Sequence, residues 1–268
     1  MGIDPSTNRI DTAFANRPPG LWPFIAAGYP NLEITAALLQ RLNTLPIRGV
    51  ELGIPFSDPI ADGPVIQQAF TRALASGIKV QDVFEMVASV RAQIAYPLLA
   101  MVSASIVYRR GVEVFAAEAH MAGFDGLIVP DISLEEAPAL ALAAAKENLR
   151  LSMLVAPTTP PERRRRIAQA ATGFLYYVSV QGTTGERAAL PAALADEVRS
   201  LKAESSLPVL VGFGISRPDH VREVCRFADG AIVGSAIVHR MATSAQPIGR
   251  TADLIDDVAR FVGDLAGE

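Results

Sequence analysis

The chain has 268 residues, 50% of them hydrophobic and 19% charged, with a net charge of −4. That length suits one barrel domain of about 250 residues or two small domains, and the composition excludes a disordered chain. The acidic balance offers nucleic acid and anionic membranes no attraction, and a single cysteine, Cys225, excludes an internal disulfide framework or a CxxC metal site.

A reducing, cytoplasmic setting is the expectation from that lone cysteine. The N-terminal stretch MGIDPSTNRIDTAF has no basic segment followed by an apolar one, so it does not read as a secretory signal. No apolar run approaches the roughly 20 residues of a membrane helix.

From the N-terminus, an apolar run at Leu21–Ala27 precedes a helical pattern at Leu32–Leu45. The run Gly49–Gly53 follows, then an extra helix inserted at Ala61–Gly77 and a further helix at Gln81–Ile94. Next come the run Pro97–Val102, with an exit loop to Tyr108, and a helix at Val112–Ala122. Gly126–Pro130 is paired with a helix at Leu134–Leu149, and Leu151–Ala156 with one at Pro161–Ala171. Gly173–Val180 leads to Leu190–Ala203, Pro208–Gly214 to Pro218–Phe227, and Ala228–Ser235 to Thr251–Leu265.

Eight short, continuously apolar runs read as parallel strands buried on both faces, and the segments between them repeat apolar residues at i, i+3 and i+4. Strand then helix, eight times, with right-handed crossovers, predicts a closed (β/α)8 TIM barrel, a single domain over residues 1–268 with extra short helices in its loops. A doubly wound open sheet is the alternative, but no G-x-G-x-x-G turn follows the first strand. The basic run Arg163–Arg166 lies in the first turns of a helix and reads as a solvated face rather than a nucleic-acid contact.

A barrel gathers its chemistry at the C-terminal ends of its strands. Strand 2 carries Glu51, and a carboxylate inside an apolar strand is costly to bury unless it has a partner or a function. Eleven residues on, Asp62 lies in the turn-rich loop DPIADGP, where the bland alternative is a turn or helix N-cap residue. Together they make a candidate acid–base pair: burial raises the glutamate towards neutrality, while an exposed loop aspartate stays ionised.

The later strands end in glycine-rich turns, QGTTG at 181–185, GFGIS at 212–216 and GSAIV at 234–238. Such turns let backbone N–H groups approach an anion, and a helix starting at Ser235 adds the positive end of its dipole, so a phosphate site is expected. The three lysines all fall on helical patterns, which argues against a Schiff-base aldolase, and the three histidines fall on helices or beyond the strand ends. Metal-free acid–base chemistry on a phosphorylated substrate is what these residues favour.

The segment ELGIPFSDPIADGP, Glu51–Pro64, resembles the strand-2 and loop-2 signature of the tryptophan synthase α-subunit family, the indole-3-glycerol-phosphate lyases. Further similarity runs in family order through PFIAAGYP, PDISLEE, APTTPPERRRRIA, GTTGER, VGFGIS and ADGAIVGSAIV, across roughly Trp22 to Arg240. The resemblance implies retro-aldol cleavage of indole-3-glycerol phosphate to indole and glyceraldehyde 3-phosphate, late in tryptophan biosynthesis. It implies Glu51 and Asp62 as catalytic residues, with Phe24 and Ile128 against the indole. Gly185, Gly214, Gly234 and Ser235 would hold the phosphate with Phe213 beside them, and Thr184 would meet the catalytic aspartate on closure. It also implies a pyridoxal-phosphate-dependent β subunit in an α2β2 complex, docked at Pro55, Phe56, Ser57 and Asp58, and no cofactor on this chain.

The chain departs from the family pattern after strand 3, where Ser103 and Ser105 stand for the tyrosine and asparagine of a YxN pattern. It departs again at Val180 and Thr183 in the strand-6 loop. The competing readings are a stand-alone lyase that releases indole, a phosphate-binding isomerase or epimerase, and a non-catalytic barrel that only activates a β subunit.

Overall fold

The computed structural model describes residues 7–15, 17–59, 62–178, 190–212, 214–244 and 251–267. Eight strands form a closed barrel in chain order, each parallel to the next and the eighth returning to the first. They are β1 (Gly20–Ala26), β2 (Val50–Gly53), β3 (Leu98–Met101), β4 (Gly126–Ile128), β5 (Arg150–Val155), β6 (Leu175–Val178), β7 (Val209–Gly212) and β8 (Gly230–Val233). Every residue of β2, β3, β4, β7 and β8 is buried, as continuous apolar runs in a two-sided parallel sheet should be.

The helices pack outside the strands. They are α1 (Arg9–Phe14), α2 (Leu32–Leu42), α3 (Pro64–Ala75), α4 (Val80–Val90), α5 (Ala104–Arg110) and α6 (Val112–Ala122), then α7 (Ala137–Lys146), α8 (Pro161–Ala170), α9 (Leu194–Glu204), α10 (Pro218–Val224), α11 (Ser235–Ser244) and α12 (Thr251–Ala266). Among the described residues, no helix is long and apolar enough to cross a membrane.

Most expected elements are present with ends shifted by a few residues. Helix α7 begins at Ala137 rather than Leu134, because Ser133 and Glu136 close a reciprocal side-chain turn ahead of it and Pro138 sits in its first turn. Two helices have no counterpart in the sequence reading. The first, α1, is six residues long and capped by the Asn8 side chain, which accepts from Ile10 N at 2.8 Å. The second, α5, fills the stretch read as the exit loop of strand 3. It is capped at Ser103 and by a distant residue, since Ala104 N donates to Asp131 Oδ1 at 2.8 Å.

The N-terminal end of the barrel is closed by aromatic rings. Phe14 stacks on Trp22 at 5.4 Å between centroids, and Trp22 packs on Phe174 at 5.7 Å. Gly49 has no side chain where the Trp22 ring lies, so a β-carbon there would collide with it. Beneath this plug, buried Asp125 accepts from Arg9 at 3.0 Å, from Arg91 at 2.8 Å and from Leu98 N at 2.8 Å. The closed bottom leaves the opposite mouth as the place for a site.

Candidate active site

Glu51 is the second residue of β2, in register with Phe24 of β1 and Leu99 of β3. Partners in register on parallel strands project to the same side, so Glu51 and Phe24 share one layer of the barrel. Glu51 is completely buried, and neither carboxylate oxygen has a hydrogen-bond partner among the described residues. Burial holds its carboxyl well above the usual carboxylate range, and the nearby charge of Asp62 raises it further.

Asp62 stands in the loop between β2 and α3. The expectation of an exposed, freely ionised aspartate is corrected here: Asp62 is only 3% exposed, and burial pushes its carboxyl up to about 6. The cause is local. Asp62 N donates to Pro59 O at 3.0 Å, and the Gln67 side-chain amide, reaching back from α3, donates to Asp62 O at 2.8 Å and to Pro59 O at 3.3 Å. These bonds tuck the loop inward. Asp62 is not the N-cap of α3 either; Gly63 is, without a side-chain cap, and Pro64 supplies the first helical residue.

Burial raises both carboxyls, and at Glu51, the deeper of the two, the charge of Asp62 adds to it. That is the pattern of a pair in which Asp62 ionises first while Glu51 is still neutral. The arrangement favours a proton on Glu51 beside a more acidic Asp62.

Phe24, 3% exposed, spans two parts of the mouth. Its ring lies over Gly53 at the end of β2, and its base is 3.4 Å from the β-carbon position of Gly234 after β8. Ile128 is fully buried at the end of β4. Ser235 is the first residue of α11 and Gly234 directly precedes it, so the positive end of a ten-residue helix dipole opens beside Phe24. Gly214, after β7, has φ +77°, a left-handed conformation that a β-carbon would strain. Thr184, Gly185 and Phe213, expected at the same rim, lie outside the described residues, as do Val180 and Thr183.

Between β2 and α3, Pro55 is buried under its loop, while Ser57 and Asp58 are exposed and joined by a 2.7 Å hydrogen bond. This loop borders a cavity of about 480 Å³. Phe56, Ser57, Asp58 and Asp62 line one side of it, Ser103 and Ser105 the second, and Pro130 and Asp131 the third. Ser103 Oγ donates to Asp131 Oδ2 at 2.7 Å and lies 2.8 Å from Ser105 Oγ, which fixes the rim.

The sequence reading missed Tyr176 on β6. It is buried, and the charges of Glu51 and Asp62 add to burial in holding its phenol well above the usual range. Gly212 on β7 makes room for its ring. The signal was faint: β6 reads Leu-Tyr-Tyr-Val, and only strand alternation separates Tyr176 from Tyr177, whose Oη donates to Glu197 of α9 at 2.7 Å.

A closed parallel barrel with two coupled, buried carboxylates at its C-terminal mouth and a helix N-terminus across from them is an enzyme scaffold suited to acid–base work on an anionic substrate. The family model for the tryptophan synthase alpha chain matches residues 11–262, and the chain belongs to that family. It is 50% identical to the tryptophan synthase alpha chain of Synechococcus sp. (strain CC9902) over 226 residues, 84% of each chain. The alpha chain of Chloroflexus aggregans is 47% identical over 253 residues, covering 91% of this chain and 95% of that one.

Solved structures agree. The tryptophan synthase alpha chain of Legionella pneumophila superposes with a TM-score of 0.87 at 36% identity, covering 97% of this chain and 96% of that one. A chain from the Pyrococcus furiosus tryptophan synthase α2β2 complex gives 0.86 at 36% identity, covering 94% and 99%.

Proposed function

We propose that the chain, acting as one barrel domain, cleaves indole-3-glycerol phosphate into indole and glyceraldehyde 3-phosphate. The observation that carries this reading is the buried Glu51 carboxyl, without a hydrogen-bond partner among the described residues and coupled to Asp62, in a chain of this family.

The chemistry follows from the two protonation states. Neutral Glu51 donates its proton to indole C3, which turns the ring into a cationic indolenine and a leaving group. Asp62, ionised, accepts a hydrogen bond from the ring N–H and stabilises that positive charge. The Glu51 carboxylate then takes the proton of the glycerol C1 hydroxyl. The bond from indole C3 to C1 breaks, its electron pair returns to the ring, and C1 becomes the aldehyde carbon. The proton is back on Glu51, so the cycle closes without a cofactor on this chain.

Phe24 and Ile128 would pack on the ring. Gly214, Gly234 and the α11 N-terminus at Ser235 would receive the phosphate, together with Gly185 and Phe213, and Thr184 would meet Asp62 on closure. The β subunit would dock on the loop carrying Pro55, Ser57 and Asp58, in an α2β2 assembly like that of the Pyrococcus furiosus relative.

Indole release from indole-3-glycerol phosphate, measured with and without a β subunit, tests the reading. Cleavage that rises when the β subunit is added supports it. No cleavage under either condition would falsify it.

A further inference from the structure

We propose a second ligand site, independent of the lyase reading: a cavity at the N-terminal end of the barrel that takes a small phosphate monoester. The cavity measures about 330 Å³, inside the range of about 300–1,000 Å³ that holds small ligands. It lies outside the aromatic plug, on the segments that lead into β1, β2, β7 and β8. These four strands are neighbours in the barrel, so their entry segments converge on one quadrant of that face.

The charge in this quadrant is unbalanced. Arg17 precedes β1, Arg48 precedes β2 and Lys202 reaches across from α9. The one carboxylate in the lining, Asp229, is engaged on both oxygens: Oδ1 accepts from Lys202 Nζ at 2.7 Å and Oδ2 from Val209 N at 2.8 Å. No carboxylate among the described residues pairs with Arg17 or Arg48. Arg48 is held in place. It lies along Gly20, whose missing side chain leaves room for it, and its Nε donates to Pro18 O at 3.0 Å. Burial and the charge of Arg17 both lower the Arg48 guanidinium, so the two arginines repel one another. An anion beside both turns that repulsion into two attractions. Setting Lys202 against Asp229 leaves two positive charges, which matches the roughly −1.5 to −2 of a phosphate monoester near neutral pH.

The remaining walls suit such a ligand. Ser205 and Ser206, in the turn after α9, supply hydroxyls, and Ser205 Oγ accepts from Leu207 N at 3.1 Å while keeping its own proton to donate. Phe14, Pro18, Pro19 and Trp22 offer apolar surface to the organic part. The Trp22 indole N–H is buried without an acceptor among the described residues.

Trp22 is the chain's single tryptophan, so its emission reports on this cavity. The test titrates that emission, in the full chain, with phenyl phosphate, inorganic phosphate and phenol. Phenyl phosphate should give a saturable change, inorganic phosphate the same change at higher concentration, and phenol none. Arg17→Ala and Arg48→Met should each weaken phenyl phosphate by about tenfold, the loss of one charge-assisted hydrogen bond, and leave kcat/KM for indole release as in the wild type. Arg17 is exposed, so its variant should melt where the wild type does. No saturable change with phenyl phosphate overturns the site. So does a response that phenol reproduces, or one that both variants leave intact, which would assign the phosphate to the C-terminal mouth instead.

Discussion

Two buried carboxylates, one at each end of the barrel, meet opposite fates. Asp125 at the N-terminal end is 5% exposed and accepts from Arg9, Arg91 and the Leu98 amide. Glu51 at the C-terminal end is fully buried and accepts nothing among the described residues. The first carboxylate is ion-paired with two arginines, hydrogen-bonded to a backbone amide, and structural. The second is pushed towards its neutral form by burial, which costs stability and favours a proton where a reaction can use it. The same residue chemistry thus anchors one end of the fold and activates the other, and the difference lies wholly in the partners each site supplies.

The comparison can be broken first at Glu51. Glu51→Gln keeps the shape and removes the transferable proton, so kcat/KM for indole release should fall by about 10²–10⁴, with no loss of melting temperature. Asp125→Ala should do the reverse. It strands the buried Arg91 guanidinium and should cost about 3–5 kcal/mol in urea unfolding, while kcat/KM of the folded protein is unchanged.

Asp62→Asn tests the sign of the stored energy. Its folded value of about 6 lies above the ordinary 3.8, so the native state binds the proton more tightly than the unfolded state does. The wild type therefore loses stability as pH rises from about 4 to about 6, by up to about 3 kcal/mol, and stays lower above that window. The variant should be the more stable protein at pH 7.5 and lose that advantage at pH 4, as paired denaturation curves would show. Its activity should be impaired at every pH, whereas wild-type activity should fall below about pH 6 as Asp62 takes a proton.

The smallest effect belongs to Asn8. It caps α1 and ties it to the barrel through Asp125 O at 2.8 Å and Asn148 O at 2.6 Å. Asn8→Ala should cost about 1–2 kcal/mol and leave catalysis alone.

Much of this architecture was legible in the sequence, because eight buried apolar runs leave few alternatives to a parallel barrel. Glu51 was legible for the same reason, as a lone charge inside such a run. What escaped depended on distant residues. Helix α5 takes part of its cap from Asp131, on another loop, and α1 is too short to announce itself by periodicity. The burial of Asp62 arises from Gln67 reaching back over the loop, a contact that no local pattern records. Tyr176 was hidden in an apolar strand whose neighbour Tyr177 faces outward to α9.

The most direct measurement is the protonation state of Glu51 itself. Infrared difference spectroscopy between the wild type and Glu51→Gln at pH 7 isolates its carboxyl stretch. A protonated C=O band at neutral pH that disappears in the variant is the predicted result. An ionised carboxylate signature at that pH would contradict the claim that the barrel mouth stores the proton on Glu51.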